Sequence, residues 1–332
     1  MSALLALAAL LLHLALMLAS APLLLGVVRS AKARMVGRQG PPLLQPWRDL
    51  LRLLHKQPVV ADSVSLVFRA APALCCAAML AAITLVPSFT LGMATAQASD
   101  LLVLAGLLAL GRAALVLAGM DTGTAFGGIG ASREMLFAVF AEPALLLVVF
   151  TLALMTGTTN LDAVITTIAS GQLGLRISMA LALVSLAIVA LAECGRVPVD
   201  NPATHLELTM VHEAMVLEYS GRHLALIEAA ACLRLLIWFS LLAGIFAPFG
   251  IAPKADGQGP ILLLLWAAGA AIWAVKMLVL ALGLAAFETS RAKLRVFRVP
   301  ELLGMALLLG LLAAILLFVS QGFAHGFGGD GA

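Results

Sequence analysis

Long apolar runs alternate with short polar stretches along the whole chain. Eight of the runs read as spans, at 3–28, 69–92, 100–119, 134–157, 175–193, 224–249, 260–286 and 300–320. About 20 apolar residues in an α-helix cross the roughly 30 Å hydrocarbon core of a bilayer. The pattern therefore predicts an all-α, polytopic integral membrane protein with about eight transmembrane helices, built as a single membrane domain over 1–332.

Three polar stretches break the pattern. The first, 29–67, is a basic loop in which Pro46 to Lys56 forms a short amphipathic helix. Trp47, Leu50, Leu51 and Leu54 make its apolar face, and Arg48, Arg52 and Lys56 the other. That suits a helix lying on anionic headgroups, and equally one docking a partner protein. The second, 121–135, holds Asp121, Arg133 and Glu134 among glycines. It follows a helix and lacks the G-x-x-x-x-G-K-[ST] of a phosphate cradle, so it reads as a tight loop packed on a partner. The third, 193–223, is an acidic loop carrying Glu193, Asp200, Glu207, Glu213 and Glu218 with His205, His212 and His223. Gly195 and Pro198 stop the helix before it. Asn201-Pro202 reads as a new helix start running to Tyr219, with Ser220-Gly221 as its stop. The plain alternative for this stretch is a helix with a solvated acidic face.

Composition excludes an ordinary soluble globule, because 63% of residues are hydrophobic and 11% charged. The formal charge of +3 matters less than its placement. Odd-numbered loops carry fourteen Lys and Arg, and even-numbered loops carry Arg176 and Lys254. This asymmetry puts the odd loops in the cytoplasm and both termini outside. The first span has no basic residue before it and is too long for a signal-peptide core. The four cysteines form no C-x-x-C pair, HEAMV at 212–216 lacks the second histidine of a zinc protease, and His205 with His212 lacks a third ligand. No metal is expected in this chain.

Ionisable residues inside spans cost about 2.5–3.5 kcal/mol at mid-membrane and tend to mark function. Here they are Arg112, Glu142, Glu228, Arg234 and Lys276. Pro143 leaves a backbone carbonyl unpaired one turn before Glu142, where water or a polar partner can sit. Glu142 reads as a proton-carrying carboxylate or as one half of an ion pair with Arg112 or Lys276. Glu228 either continues a path from the acidic loop or faces headgroups.

Four motifs give a resemblance over nearly the full length. They are Gly40-Pro41 through Leu44-Gln45-Pro46 and Asp49; Glu142-Pro143; Glu193-x-x-Arg196-x-Pro198-x-Asp200-x-Pro202; and Glu218-Tyr219-Ser220-Gly221. The chain resembles the membrane subunit shared by respiratory complex I (its subunit 1) and the energy-converting nickel–iron hydrogenases. Residues 121–135, 200–221 and FRVPEL at 297–302 look most like the formate hydrogenlyase and hydrogenase-4-type members. Where complex I subunits carry further acids after the Asp-x-Pro, this chain has Ala203, Thr204 and His205.

The resemblance implies a membrane-anchoring, proton-handling subunit with no catalytic residue of its own. Its proton path would use Glu142, Glu193, Asp200, Glu207, Glu213, Glu218 and Glu228. Arg112, Arg196, Arg234 and Lys276 would pair or support, and Arg133, Arg291, Lys293, Arg295 and Arg298 would dock partners. Implied partners are the large and small subunits of a nickel–iron hydrogenase, an iron–sulfur protein, an antiporter-like membrane subunit, formate dehydrogenase and the lipid bilayer, with no nucleic acid. Iron–sulfur clusters and the nickel–iron centre are expected on those partners, in a bacterial or archaeal cytoplasmic (inner) membrane. The alternatives are a quinone-reducing complex I subunit and a stand-alone ion transporter.

Overall fold

The computed structural model describes residues 3–61, 64–171, 177–200, 211–252, 259–292, 294 and 298–326. Helix α1 (Ala3–Met35) runs past the first apolar stretch. At 1.5 Å per residue it is about 50 Å long, so its last turns, with Arg29, Lys32 and Arg34, stand clear of a 30 Å hydrocarbon core. Helix α2 (Gln45–Leu54) has Pro46 in its first turn, buries Pro46 and Leu50, and donates from Trp47 Nε1 to the Ala19 carbonyl at 3.2 Å. Helices α3 (Leu66–Leu85), α4 (Leu101–Asp121) and α5 (Ala125–Thr156) begin at Ser65, Asp100 and Thr124. Each capping side chain accepts an otherwise orphaned N–H of the first turn. Then come α6 (Leu161–Ala169), α7 (Ile177–Glu193), α8 (His212–Val216), α9 (Gly221–Phe246), α10 (Gly259–Ser290) and α11 (Val299–Gly326).

Seven of these helices, α1, α3, α4, α5, α9, α10 and α11, are long and apolar enough to cross a membrane. Helix α7, with 17 described residues, is the shorter eighth. Among the described residues there is no strand. The all-α polytopic architecture expected from the apolar runs is the one observed.

Helix α9 is the hub. In its most apolar window 78% of residues are buried, against 17% in α1. It packs on α1, α2, α3, α7 and α10, while α11 closes the far side against α5 and α7. Leu236, Ile237 and Trp238 lie fully inside. At one end the connectors are tied together by isolated bridges, Thr90 to Ala252 and Asp100 to Asn160. Asp162 Oδ2 accepts the Gly92 N–H at 2.7 Å. His13, alone in the first span, lies 2.7 Å from both the Ile83 carbonyl and Ser88 Oγ. The carbonyl can only accept, so Nε2 carries the proton and Nδ1 accepts from the Ser88 hydroxyl.

Several expectations are corrected. The basic loop begins after Met35, because α1 continues for another two turns beyond the apolar run. The second span ends at Leu85, not 92. Helix α6 occupies part of what reads as a loop after the fourth span. The glycine-rich stretch 121–135 is mostly the first three turns of α5, not a loop. Half of the helix expected from Pro202 to Tyr219, residues 202–210, lies outside the described residues, and the described half is helical only over His212–Val216. Ser220-Gly221 starts α9 instead of ending a helix.

Candidate functional site

Four ionisable side chains meet between α4, α5 and α7. Arg112 sits midway along α4 with 6% of its side chain exposed. Its Nη1 is 3.0 Å from Glu142 Oε1, its Nε is 3.7 Å from Glu134 Oε1, and its Nη2 pairs with Glu193 Oε1. Glu134 and Glu142 lie about two turns apart on α5 and reach the same guanidinium. Glu193, the last residue of α7, is 3% exposed. The α7 terminus leaves backbone carbonyls without helical partners, and Arg234 Nη1 on α9 donates to that of Glu193 at 3.3 Å.

Exposure rises across the network, from 3% at Glu193 to 45% at Glu142. Glu142 stands on the outer flank of α5 between exposed Val139 and Leu146. On the inner side a cavity of about 10 Å³, room for roughly one water, is bordered by Glu134, Glu193, Asp200 and His212. Glu193 Oε2 is buried with no hydrogen-bond partner among the described residues. Burial pulls the His212 imidazole down to about 4, and nearby Arg234 adds to this while Asp200 opposes it. His212 is therefore neutral at pH 7.

The structure thus brings Glu142, Glu193, Asp200, Arg112 and Arg234 to one place. Glu213 is half-buried on α8, and Glu218 is exposed beyond it. Glu228 lies apart, on a cavity of about 320 Å³ under α2 that Arg29, Asp49 and Arg52 also line. Lys276 does not meet Glu142: it donates to the Ala247 carbonyl at 2.6 Å and to that of Phe249, capping the end of α9. Arg196 pairs with Glu288 at 3.7 Å. Arg133 is half-buried on α5, and Arg291 and Arg298 are exposed between α10 and α11. Glu207, Lys293 and Arg295 lie outside the described residues.

Two residues were missed by sequence reasoning. Glu134 looked like a loop residue because glycines precede it. Its spacing of eight from Glu142 is the signal that one helix carries both. Glu288 looked like part of a basic loop, yet it is buried and holds both Lys32 and Arg196. A lone acid in a basic run was the available signal. Among the described residues, no group of three His, Cys, Asp or Glu side chains is placed to hold a metal ion.

Membrane-length helices around a buried arginine–carboxylate network define a polytopic membrane protein with an ionisable interior. Residues 7–319 match the NADH dehydrogenase family, and the chain belongs to it. It is similar to formate hydrogenlyase subunit 4 of Escherichia coli (strain K12), with 35% identity over 86% of this chain and 90% of that protein. It is also similar to hydrogenase-4 component C of the same organism, with 36% identity over 70% of this chain and 73% of that one. NADH-ubiquinone oxidoreductase chain 1 of Triticum aestivum is 32% identical over 62% of this chain and 66% of its own length. The fold matches a chain in the membrane-bound sulfane sulfur reductase (MBS), an archaeal respiratory membrane complex. The TM-score is 0.73, covering 93% of this chain and 99% of that one, at 20% identity. The protein is a membrane subunit of the complex I and hydrogenase family, and its relatives are subunits of multi-subunit membrane complexes.

Proposed function

We propose that this chain is the membrane-anchoring, proton-handling subunit of an energy-converting nickel–iron hydrogenase of the formate hydrogenlyase type, in a bacterial or archaeal inner membrane. One observation carries the reading: three carboxylates, Glu134, Glu142 and Glu193, converge on the single guanidinium of Arg112, with Arg234 on the Glu193 backbone carbonyl beside them. With Asp200 on the adjoining cavity, four acids stand against two guanidiniums, so a carboxylate can bind or release a proton without leaving a cation unpaired. The line from the cavity at His212 and Asp200 through Glu193 and Arg112 to Glu142 joins the polar end of the bundle to its flank.

In the proposed complex, formate gives up two electrons and a proton on soluble partners and leaves as carbon dioxide. A partner's nickel–iron centre would supply the site where two protons take up those electrons, so each turnover would draw one proton from solution. This chain would hold those partners through Arg133, Arg291 and Arg298. Its carboxylates would feel or conduct the protons. Glu142, a carboxylate on an otherwise apolar flank, suits cover by a second membrane subunit, since an uncovered charge there is costly.

Glu142→Gln keeps the shape and removes the carboxylate. The complex should assemble, and hydrogen evolution coupled to the membrane proton gradient should fall roughly tenfold or more. Unchanged turnover with unchanged gradient dependence would make the carboxylate structural. A complex I-type role is the second reading, favoured by the cavity of about 320 Å³ beneath α2. Hydrogen evolution by the purified complex separates the two.

A further inference from the structure

We propose that a lateral slot between α7, α9 and α10 holds one acyl chain of an anionic phospholipid, with its phosphate on Arg196. The slot has a volume of about 350 Å³, within the roughly 300–1,000 Å³ range of ligand pockets. Its walls are apolar, with Leu191 and Ala190 on α7, Trp238 and Leu242 on α9, and Val279 and Gly283 on α10. Trp238 is fully buried, whereas Val279 is 61% exposed, so the slot is floored by the core and open along α10. A Cβ added at Gly283 would meet no atom within 4 Å, which leaves the rim clear for a chain to enter. Exposed Val275, Leu278 and Leu282 continue the outer face of α10, which places the opening against hydrocarbon.

Charge fixes the class of occupant. Arg196 is the one charged residue that lines the slot among the described residues. It shares Glu288 with Lys32: Glu288 Oε2 takes the Lys32 ammonium at 3.0 Å, and Oε1 is 3.7 Å from Arg196 Nη1. That second distance is beyond hydrogen-bond reach. Glu288 Oε1 makes no hydrogen bond to a described residue. Lys32 and Arg196 share Glu288, and Glu228 lies between Arg196 and Arg29, so three cations face two carboxylates at the mouth of an apolar slot. An anionic headgroup above an acyl chain matches both halves, and a zwitterionic lipid supplies no net charge for the first.

The test uses the full chain in its purified complex, equilibrated with vesicles of equal parts phosphatidylglycerol and phosphatidylcholine. Native mass spectrometry then counts lipids retained on the released subunit. One phosphatidylglycerol should be kept about fivefold over phosphatidylcholine, the preference expected for one basic residue near a headgroup. Arg196→Gln should abolish the preference and Arg196→Lys should keep it. Gly283→Leu, whose Cβ meets no protein atom within 4 Å, puts an isobutyl group at the rim and should lower retention of both lipids at least fivefold. No retained lipid, equal retention of the two by the unmodified chain, or equal retention by Gly283→Leu overturns the proposal. So does a photo-crosslinker at Val279 that captures a protein chain, which would make the slot a subunit contact.

Discussion

Arg112 is the residue on which the buried charge depends. It meets three carboxylates from two helices, and Glu193 among them is almost wholly enclosed. Removing one member of a buried ion pair leaves its partner uncompensated, at a cost of about 3–5 kcal/mol. Arg112→Met should therefore lower the thermal stability of the purified complex sharply. Adding Glu193→Met should restore part of the loss, because an apolar pair needs no compensation. If the single change is harmless, the network is already hydrated or neutral. Arg112 and Glu142 were legible in the sequence because each interrupts a long apolar run. That they touch was left open there, since Lys276 was an equal candidate. Only the packing of α4 on α5 decides it, with Lys276 drawn instead to the end of α9. Asp200 and His212 were legible as polar residues, but their meeting at one small cavity depends on tertiary contacts.

At the scale of one element, the start of α5 shows where local propensity misleads. Each glycine in a helix costs about 1 kcal/mol relative to alanine, so a stretch with Gly127, Gly128 and Gly130 reads as a loop. Close approach overrides that cost. A Cβ at Gly127 would run into the Gly119 carbonyl on α4, and one at Gly130 would meet Ala214 Cβ and the Val211 carbonyl at 2.9 Å. Gly128 has nothing within 4 Å. Gly127→Val should thus separate α4 from α5 and lower the melting temperature by several degrees or more. Gly128→Ala should leave it unchanged or raise it, by helix propensity worth about 1 kcal/mol. Equal effects would show that α5 starts later in the chain. The Ser220-Gly221 pair misled for a related reason. Gly221 has φ +54, and its Cβ position is filled by the Gln57 carbonyl. A left-handed glycine commonly ends a helix, but here it lets the connector after α2 dock at the start of α9.

Over the whole molecule, the count of spans was the most legible feature, because it needs only length and hydropathy. The sixth span's role as hub was not, because burial inside a bilayer leaves no polar face to contrast with an apolar one. Sidedness rests on the basic loops. Lys56 lies against Gly221 at one end of the bundle. Ala9, Phe89, Met93 and Ala252 cluster at the other. Reporter fusions placed after Lys56 and after Lys254 should therefore report opposite sides of the membrane, with the Lys56 fusion inside. The same side for both would contradict the arrangement of all eight spans.

The pair between Lys32 and Glu288 also sets a clock. Its members are 256 residues apart in the chain. At a synthesis rate of about 5–20 residues per second, Lys32 emerges roughly 10–50 s before its partner exists. For that interval α1, the least enclosed of the long helices, has α2, α3 and α9 to pack on but leaves its α10 face in lipid. Its basic last turns give it somewhere to wait, since they can sit among headgroups until α10 arrives. A ribosome stalled before residue 288 would accordingly leave a nascent chain that is inserted but not yet closed.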